Sequence, residues 1–240
     1  MFDAGRFVDF HSHILPGADH GSDSLATTLY QLNSAQKYGI TKIISTSHFY
    51  PNAHSVDSFL KKRNEAFLQL LDSGHDIPEI RLGAEVLLCS GMDRLEGIER
   101  LCIHGTNTLL LELPFLDYCD EYTQTVERLV QNGLNIVLAH AERYPRAVIE
   151  LLFTYGVKIQ LNASSIVGMK KIKNKYLFDW MERGAVIALG SDIHGKDPRA
   201  YRYLNKAFGI TGILSDYIID ESNKIWNSSI EFLKKEEHKV

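Results

Sequence analysis

The sequence is short of cysteine and has no long apolar run. Its thiols, Cys89, Cys102 and Cys119, are odd in number and include no C-x-x-C pair, which speaks against a disulfide framework or a zinc ribbon and fits a reducing compartment. None has an arginine six positions on, so a phosphatase loop built on a thiol nucleophile is excluded. Residues Met1 to Arg6 lead straight into a strand-like run, without a basic segment followed by a long apolar one. Neither secretion nor a membrane span is expected, and the expected location is the cytoplasm. A basic surplus is also missing. A formal charge of -4 and a pI near 6.2 argue against a polyanion-binding surface, and so against nucleic acid as a partner.

Low-complexity tracts, internal repeats and Pro/Gly-rich linkers are absent as well, so nothing divides the chain and one domain over 1–240 is expected. With 45% hydrophobic residues there is material for a sizeable core, and the length lies within the range of α/β barrels. Short β-branched or apolar runs recur at Phe7 to Phe10, Lys42 to Thr46, Ile80 to Ala84, Thr108 to Leu111, Asn135 to Ala139, Val157 to Leu161 and Ala185 to Leu189. Most are separated by stretches of helical period, the pattern of repeated β-α units around a parallel sheet. Ser24 or Asp23 is placed to cap a helix whose Leu25, Leu29, Leu32 and Ala35 share a face and which Gly39 closes. Further helices are expected over Val56 to Leu71, capped by Ser55, and over Glu121 to Gln131. The tail from Ser222 to Val240 reads as a mixed-charge helix, with Lys234, Lys235, Glu236 and Glu237 on a solvated face.

The chemistry lies where metal-capable side chains fall. The first run ends in His11-Ser-His13, and alternate residues of an extended segment point the same way, so both imidazoles can reach one ion. The later runs end in His48, Glu85, Glu112, His140 and the pair Asp192 and His194; only the sixth lacks a strong ligand, offering Asn162, Ser164 and Ser165. In a β/α barrel all these ends meet on the C-terminal rim, where active sites of such barrels lie. A lone histidine is more often a satisfied core residue than a ligand, but repetition at nearly every strand end is hard to reconcile with coincidence. Imidazole and carboxylate without thiolate suit manganese, iron or zinc, and the donors are too many for one tetrahedral ion. Arg143 and Arg199 are candidates to grip phosphate oxygens in a bidentate fork; a surface salt bridge is the plain alternative.

Asp9-Phe-His11-Ser-His13, Thr46-Ser-His48, Gly83-Ala-Glu85, Leu111-Glu112, Ala139-His140 and Ser191-Asp192-Ile-His194 resemble the PHP (polymerase and histidinol phosphatase) family. The stretch from His11 to Gly21, with His140-Ala-Glu142-Arg143-Tyr144 and Gln160-Leu-Asn162-Ala-Ser164, is similar to its bacterial tyrosine-phosphatase branch from capsule and exopolysaccharide loci. The likeness spans about residues 7 to 200. It implies a distorted (β/α)7 barrel of TIM type and a manganese-supported site of two or three ions, most simply three. By resemblance, His11, His13, Glu85 and Asp192 hold the first ion, and Glu85, Glu112 and His140 the second. His48, His194 and either Asp19 or His20 hold the third. The branch usually reads Asp-Asp-Gly where this chain has Asp19-His20-Gly21, and often has proline where this chain has Ala141.

The implied reaction is in-line attack on a phosphomonoester by metal-bound hydroxide, with Arg143 and Arg199 orienting the phosphoryl group. The implied substrate is the phosphotyrosine tail of a bacterial tyrosine autokinase controlling polysaccharide export. No residue stands out as the general acid. Phe49, Tyr50, Phe115 and Tyr118 are candidates to recognise the substrate or, equally, to pack within the rim. The rival readings are a histidinol-phosphate phosphatase, an amidohydrolase-type deaminase or lactonase, and a silent metal-holding module that acts by binding a partner.

Overall fold

A computed structural model describes residues 4–115, 118–168 and 175–237; side chains at 4 and 229–237 lie outside it, and with them the charged run from Lys234 to Glu237. Strands β1 (Val8–Ser12), β2 (Lys42–Ser45) and β4 (Glu79–Leu82) form one parallel sheet in the order β1-β2-β4. Strands β3 (His48–Phe49), β5 (Glu85–Leu87), β6 (Thr108–Glu112), β7 (Asn135–Leu138), β8 (Lys158–Asn162) and β9 (Val186–Gly190) form a second, also parallel, in that order. Around them lie α1 (Leu25–Lys37), α2 (Val56–Asp72), α3 (Asp120–Gln131), α4 (Arg146–Phe153), α5 (Ala163–Val167), α6 (Lys175–Glu182), α7 (Ala200–Thr211) and α8 (Leu214–Glu237).

The strand count corrects the expectation of seven. The described residues form nine strands in two sheets, because the second and third expected strands are each followed by a short separate strand. The first break falls at Thr46 and Ser47, where the Thr46 hydroxyl accepts from Ser12 N at 3.2 Å and donates to Ser12 O at 3.3 Å. The second falls at Gly83 and Ala84, where the Arg63 guanidinium donates to Gly83 O at 3.0 Å. Each break re-aims the chain as a bulge does, so that His48 opens β3 and Glu85 opens β5 as direct partners in register.

At these breaks Gly83 N donates to Ser45 O at 2.8 Å, extending the β2-β4 pairing, and Glu85 N of β5 donates to Thr46 O at 3.2 Å, tying the second sheet to the residue that leaves β2. At the other edge, Asp9 of β1 reaches the end of β9: its carboxylate accepts from Ser191 N at 2.8 Å and Ser191 Oγ at 2.6 Å. Asp192 N donates to His11 O at 2.8 Å. Gly190 is required here, since a Cβ would lie 2.6 Å from that of His11.

The strands turn one face to the helices and the other to an inner cluster of Val8, Phe10, Ile44, Leu110, Val137, Ala139 and Ala188, joined by Trp226 of α8. The last helix therefore begins well before Ser222 and inserts an indole into the strands, with the Arg81 guanidinium 4.6 Å above it. Helix α1 starts as expected, Ser24 accepting from Thr27 N, but Leu32 and Ala35 are buried together with polar Thr27, Thr28 and Gln31. Gln31 donates to His13 O, Gly21 O and Gly195 O, pinning loops on the side where the histidines gather. No described helix is long and apolar enough to cross a membrane.

Candidate metal centre

Around the C-terminal ends of β1, β6, β7 and β9, and at the breaks where β3 and β5 begin, the chain gathers His11, His13, His48, Glu85, Glu112, His140, Asp192 and His194. Glu85 is central. Its Oε2 lies 3.1 Å from His11 Nε2, 3.2 Å from His13 Nε2 and 3.1 Å from His48 Nδ1, and its Oε1 lies 2.8 Å from His140 Nε2. Glu112 approaches His140 Nε2 at 3.5 Å and His48 Nδ1 at 3.9 Å with opposite oxygens. Asp192 Oδ1 stands 3.7, 3.6 and 3.5 Å from nitrogens of His11, His13 and His194. His11 and His13 are fully buried, and their Nε2 atoms are only 3.0 Å apart.

Neighbouring groups set the direction of these donors. The β8 side chain of Gln160 accepts from His140 N at 2.8 Å, which makes its Oε1 the acceptor and gives His11 Nδ1, 3.0 Å away, the proton. The His11 Nε2 lone pair then faces the centre. Asp19 Oδ2 accepts from His13 Nδ1 at 2.8 Å in the same way. Tyr144 OH lies 3.1 Å from His140 Nδ1. Asn162 Nδ2 donates to Asp192 Oδ2 at 2.7 Å, and Arg143 reaches the same oxygen at 2.5 Å, leaving Oδ1 for the histidines. His140 at φ 33° and Asp192 at φ 49° are the positive-φ residues other than glycine among those described, so the centre holds backbone strain that its surroundings must maintain. Gly21 is obligatory in the loop beneath, since a Cβ would lie 2.0 Å from His13 Cβ.

The charges are mutually set. Burial disfavours a charged His13, but the Asp19 and Glu85 carboxylates outweigh it and push the ring up to about 10. His140, also opposed by burial, is carried up to about 9 by Glu112 and Glu85. His48 is held down to about 3 by burial and by the neighbouring charge of His13. Glu85 stays well below the usual carboxylate range against its burial, because His11, His13 and His140 surround it. Asp192 is held near 2, against burial, by His11, His13 and Arg143.

These residues suit divalent cations. Buried Glu85 Oε2, His48 Nδ1 and His194 Nε2 make no hydrogen bond although other donor atoms crowd them, an arrangement a cation satisfies and a hydrogen-bond network does not. Overlapping groups of potential ligand atoms within 4.8 Å of one another are formed by His13, His48 and His194, by His11, His13 and Asp192, and by His48, Glu85 and Glu112. The described cysteines are not among them, and burial pushes Cys102 up to about 12.

The remaining expected residues separate clearly. Asp19 is occupied by His13 Nδ1, Gly21 N and His48 N, whereas the His20 ring stacks 4.7 Å from His48 and 4.8 Å from His194. A cavity of about 480 Å³ opens over the centre, lined by His20, His48, Tyr50, Glu112, Phe115, His140, Arg143 and His194, among others. Arg199 lies on an adjoining recess that shares Arg143 and Asp192, and it pairs with Asp197 at 3.1 Å. Phe49 is buried against Phe59, and Tyr118 bonds Thr123 Oγ1; of the aromatic candidates, Tyr50 and Phe115 line the cavity. Sequence reasoning passed over Gln160 as a contributor and treated β8 as nearly empty. The signal was present, since Gln160 and Asn162 alternate along β8 as His11 and His13 do along the first strand.

A parallel α/β fold carrying clustered imidazoles and carboxylates at its strand ends defines a protein with a candidate polynuclear metal site. The chain belongs to the capsular polysaccharide synthesis CpsB/CapC family, whose model matches residues 7–213. It is 26% identical over 219 residues to the tyrosine-protein phosphatase CpsB of Streptococcus pneumoniae, covering 85% of this chain and 88% of that one. It is 25% identical to the tyrosine-protein phosphatase YwqE of Bacillus subtilis, covering 84% and 85%. The fold matches a crystal structure from work on YwqE of B. subtilis and CpsB of S. pneumoniae, described there as metal-dependent tyrosine phosphatases. That match has a TM-score of 0.73 at 22% identity and covers 89% of this chain and 92% of that one.

Proposed function

We propose that the chain is a metal-dependent phosphomonoester hydrolase acting on phosphotyrosine in proteins, and that the bonds joining its sheets at both edges make them one distorted barrel. The observation that carries this reading is the meeting, in one cavity, of the Glu85-centred cluster with the Arg143 guanidinium. Relatives named tyrosine-protein phosphatases support the choice of ester.

His11, His13, Glu85 and Asp192 would hold one cation, Glu85, Glu112 and His140 a second, and His48 and His194 a third with His20, since the oxygens of Asp19 are already committed. Manganese is our choice, with iron or zinc compatible with the same donors. Bound ions supply a water of lowered pKa and neutralise phosphate charge. The chain's own part is to orient. Arg143 holds Asp192 and presents its remaining N–H groups to phosphate oxygens, while Arg199 exchanges Asp197 for the phosphoryl group from the adjoining recess. Asp19 and Gln160 hold the histidine protons away from the centre. The physiological substrate would be the phosphorylated tail of a bacterial tyrosine kinase in capsule or exopolysaccharide synthesis, in the cytoplasm.

The test is hydrolysis of a phosphotyrosine peptide by metal-stripped protein reloaded with manganese, with histidinol phosphate as competitor. Manganese-dependent turnover should fall at least a hundredfold, on the order of 10²–10³, in His11→Ala and in Arg143→Ala. Preference for histidinol phosphate would move the chain to biosynthesis, and no turnover of either ester would leave the silent binding module.

A further inference from the structure

A cavity of about 720 Å³ beside Thr108, Asn135 and Lys224 lies at the opposite ends of the strands. The metal-side cavity is more informative because of one side chain that the fold does not explain. Phe115 follows β6 and is 65% exposed, yet it is not scattered on the surface: its ring lines the cavity, near-parallel to His140 at 14° and 6.5 Å. Its other ring neighbour is Tyr144 at 6.1 Å. Tyr50 repeats the arrangement on His48, near-parallel at 13° and 5.5 Å. Since His48 and His140 face opposite oxygens of Glu112, the two outer rings stand to either side of that carboxylate. Arg143, which bonds Asp192, lines the same cavity.

We propose that Phe115, with Tyr50 across Glu112, is a specificity-determining ring that receives the aryl group of the substrate and selects aryl over alkyl phosphomonoesters; this rests on the phosphatase reading above. An exposed phenyl ring contributes little to folding, whereas a substrate ring laid against it removes apolar surface of both from water and adds an aromatic pair. An alkyl phosphate reaches the same cations and Arg143 but leaves Phe115 wet. The preference is therefore expected in binding, on KM, and not in the step at phosphorus.

The manganese-loaded full chain is titrated with phenylphosphonate and methylphosphonate by calorimetry, and kinetics are run with phenyl phosphate and glycerol 2-phosphate. Phe115→Ala should weaken phenylphosphonate about 3- to 10-fold, the range of one aromatic pair, and raise KM for phenyl phosphate equally. Methylphosphonate, glycerol phosphate, kcat and metal content should stay as in the native protein, and Phe115→Trp should retain the preference. Equal loss for both ligands, no loss for either, or an effect seen only with a peptide substrate would overturn the proposal while the phosphatase stands. Native protein that hydrolyses neither of these esters nor a phosphotyrosine peptide would sink the underlying reading.

Discussion

Gln160 is bonded to His11 and His140, and through Asn162 to Asp192 and so to Arg143. It joins proposed ligands of different ions without being one. Replacing it by leucine keeps the volume roughly constant but frees His11 to rotate or to place its proton on Nε2. Residues that orient ligands in this way typically contribute about 10- to 100-fold in metal affinity. Gln160→Leu is therefore expected to weaken manganese binding by that factor, read by competition with a chromophoric chelator. Gln160→Glu, whose carboxylate still accepts from His11 Nδ1, should recover part of it. Unchanged affinity in the leucine variant would remove Gln160 from the centre. The ligand candidates themselves were readable residue by residue, because imidazole and carboxylate at strand ends are rare without a reason. Their supports were not, because a glutamine or tyrosine is common everywhere and becomes informative only when its partner is known.

At the scale of elements, the inner cluster makes α8 more than a solvated tail. Trp226 is 1% exposed among residues of β1, β2, β6, β7 and β9, so Trp226→Ala should cost about 3–5 kcal/mol, measured by urea denaturation. A loss below about 1 kcal/mol would mean the helix is dispensable to the core. The clasp between β1 and β9 behaves differently. Burial, partly countered by Ser191, raises the Asp9 carboxyl to about 6. Between about pH 4 and 6 the folded chain then binds a proton that the unfolded chain has released, so this group withdraws stability as pH rises through the window. Metal-free Asp9→Asn should gain on the native chain over that interval, by at most about 1.4 kcal/mol per pH unit; parallel melting curves would contradict it. The expected strands were placed to within a residue or two of those found, since hydrophobic runs declare themselves. The breaks before His48 and Glu85 were not foreseen: they depend on the Thr46 hydroxyl and on Arg63 reaching Gly83, contacts between residues distant in the chain.

For the whole molecule, the centre makes stability a function of both metal and pH, with opposite signs in the two states. Without ions, His13 and His140 carry protons well above neutrality because carboxylates surround them. Each folded pKa is raised above the unfolded value, so the stability it supplies is complete below about pH 6.5 and drains away as pH climbs through about 9 to 10. The metal-free melting temperature should therefore fall from pH 7 to pH 9. Cation binding needs the same nitrogens bare. Loading at pH 7 must expel these protons, and affinity should rise by about tenfold per pH unit for each proton displaced. The stabilisation on adding manganese should accordingly grow from pH 6 to pH 8 while the metal-free protein weakens. Calorimetry in buffers of different ionisation enthalpy reads the proton count directly. Release of roughly one to two protons per protein at pH 7 is expected, and binding without proton release would show that the carboxylates hold the ions while the histidines stand aside.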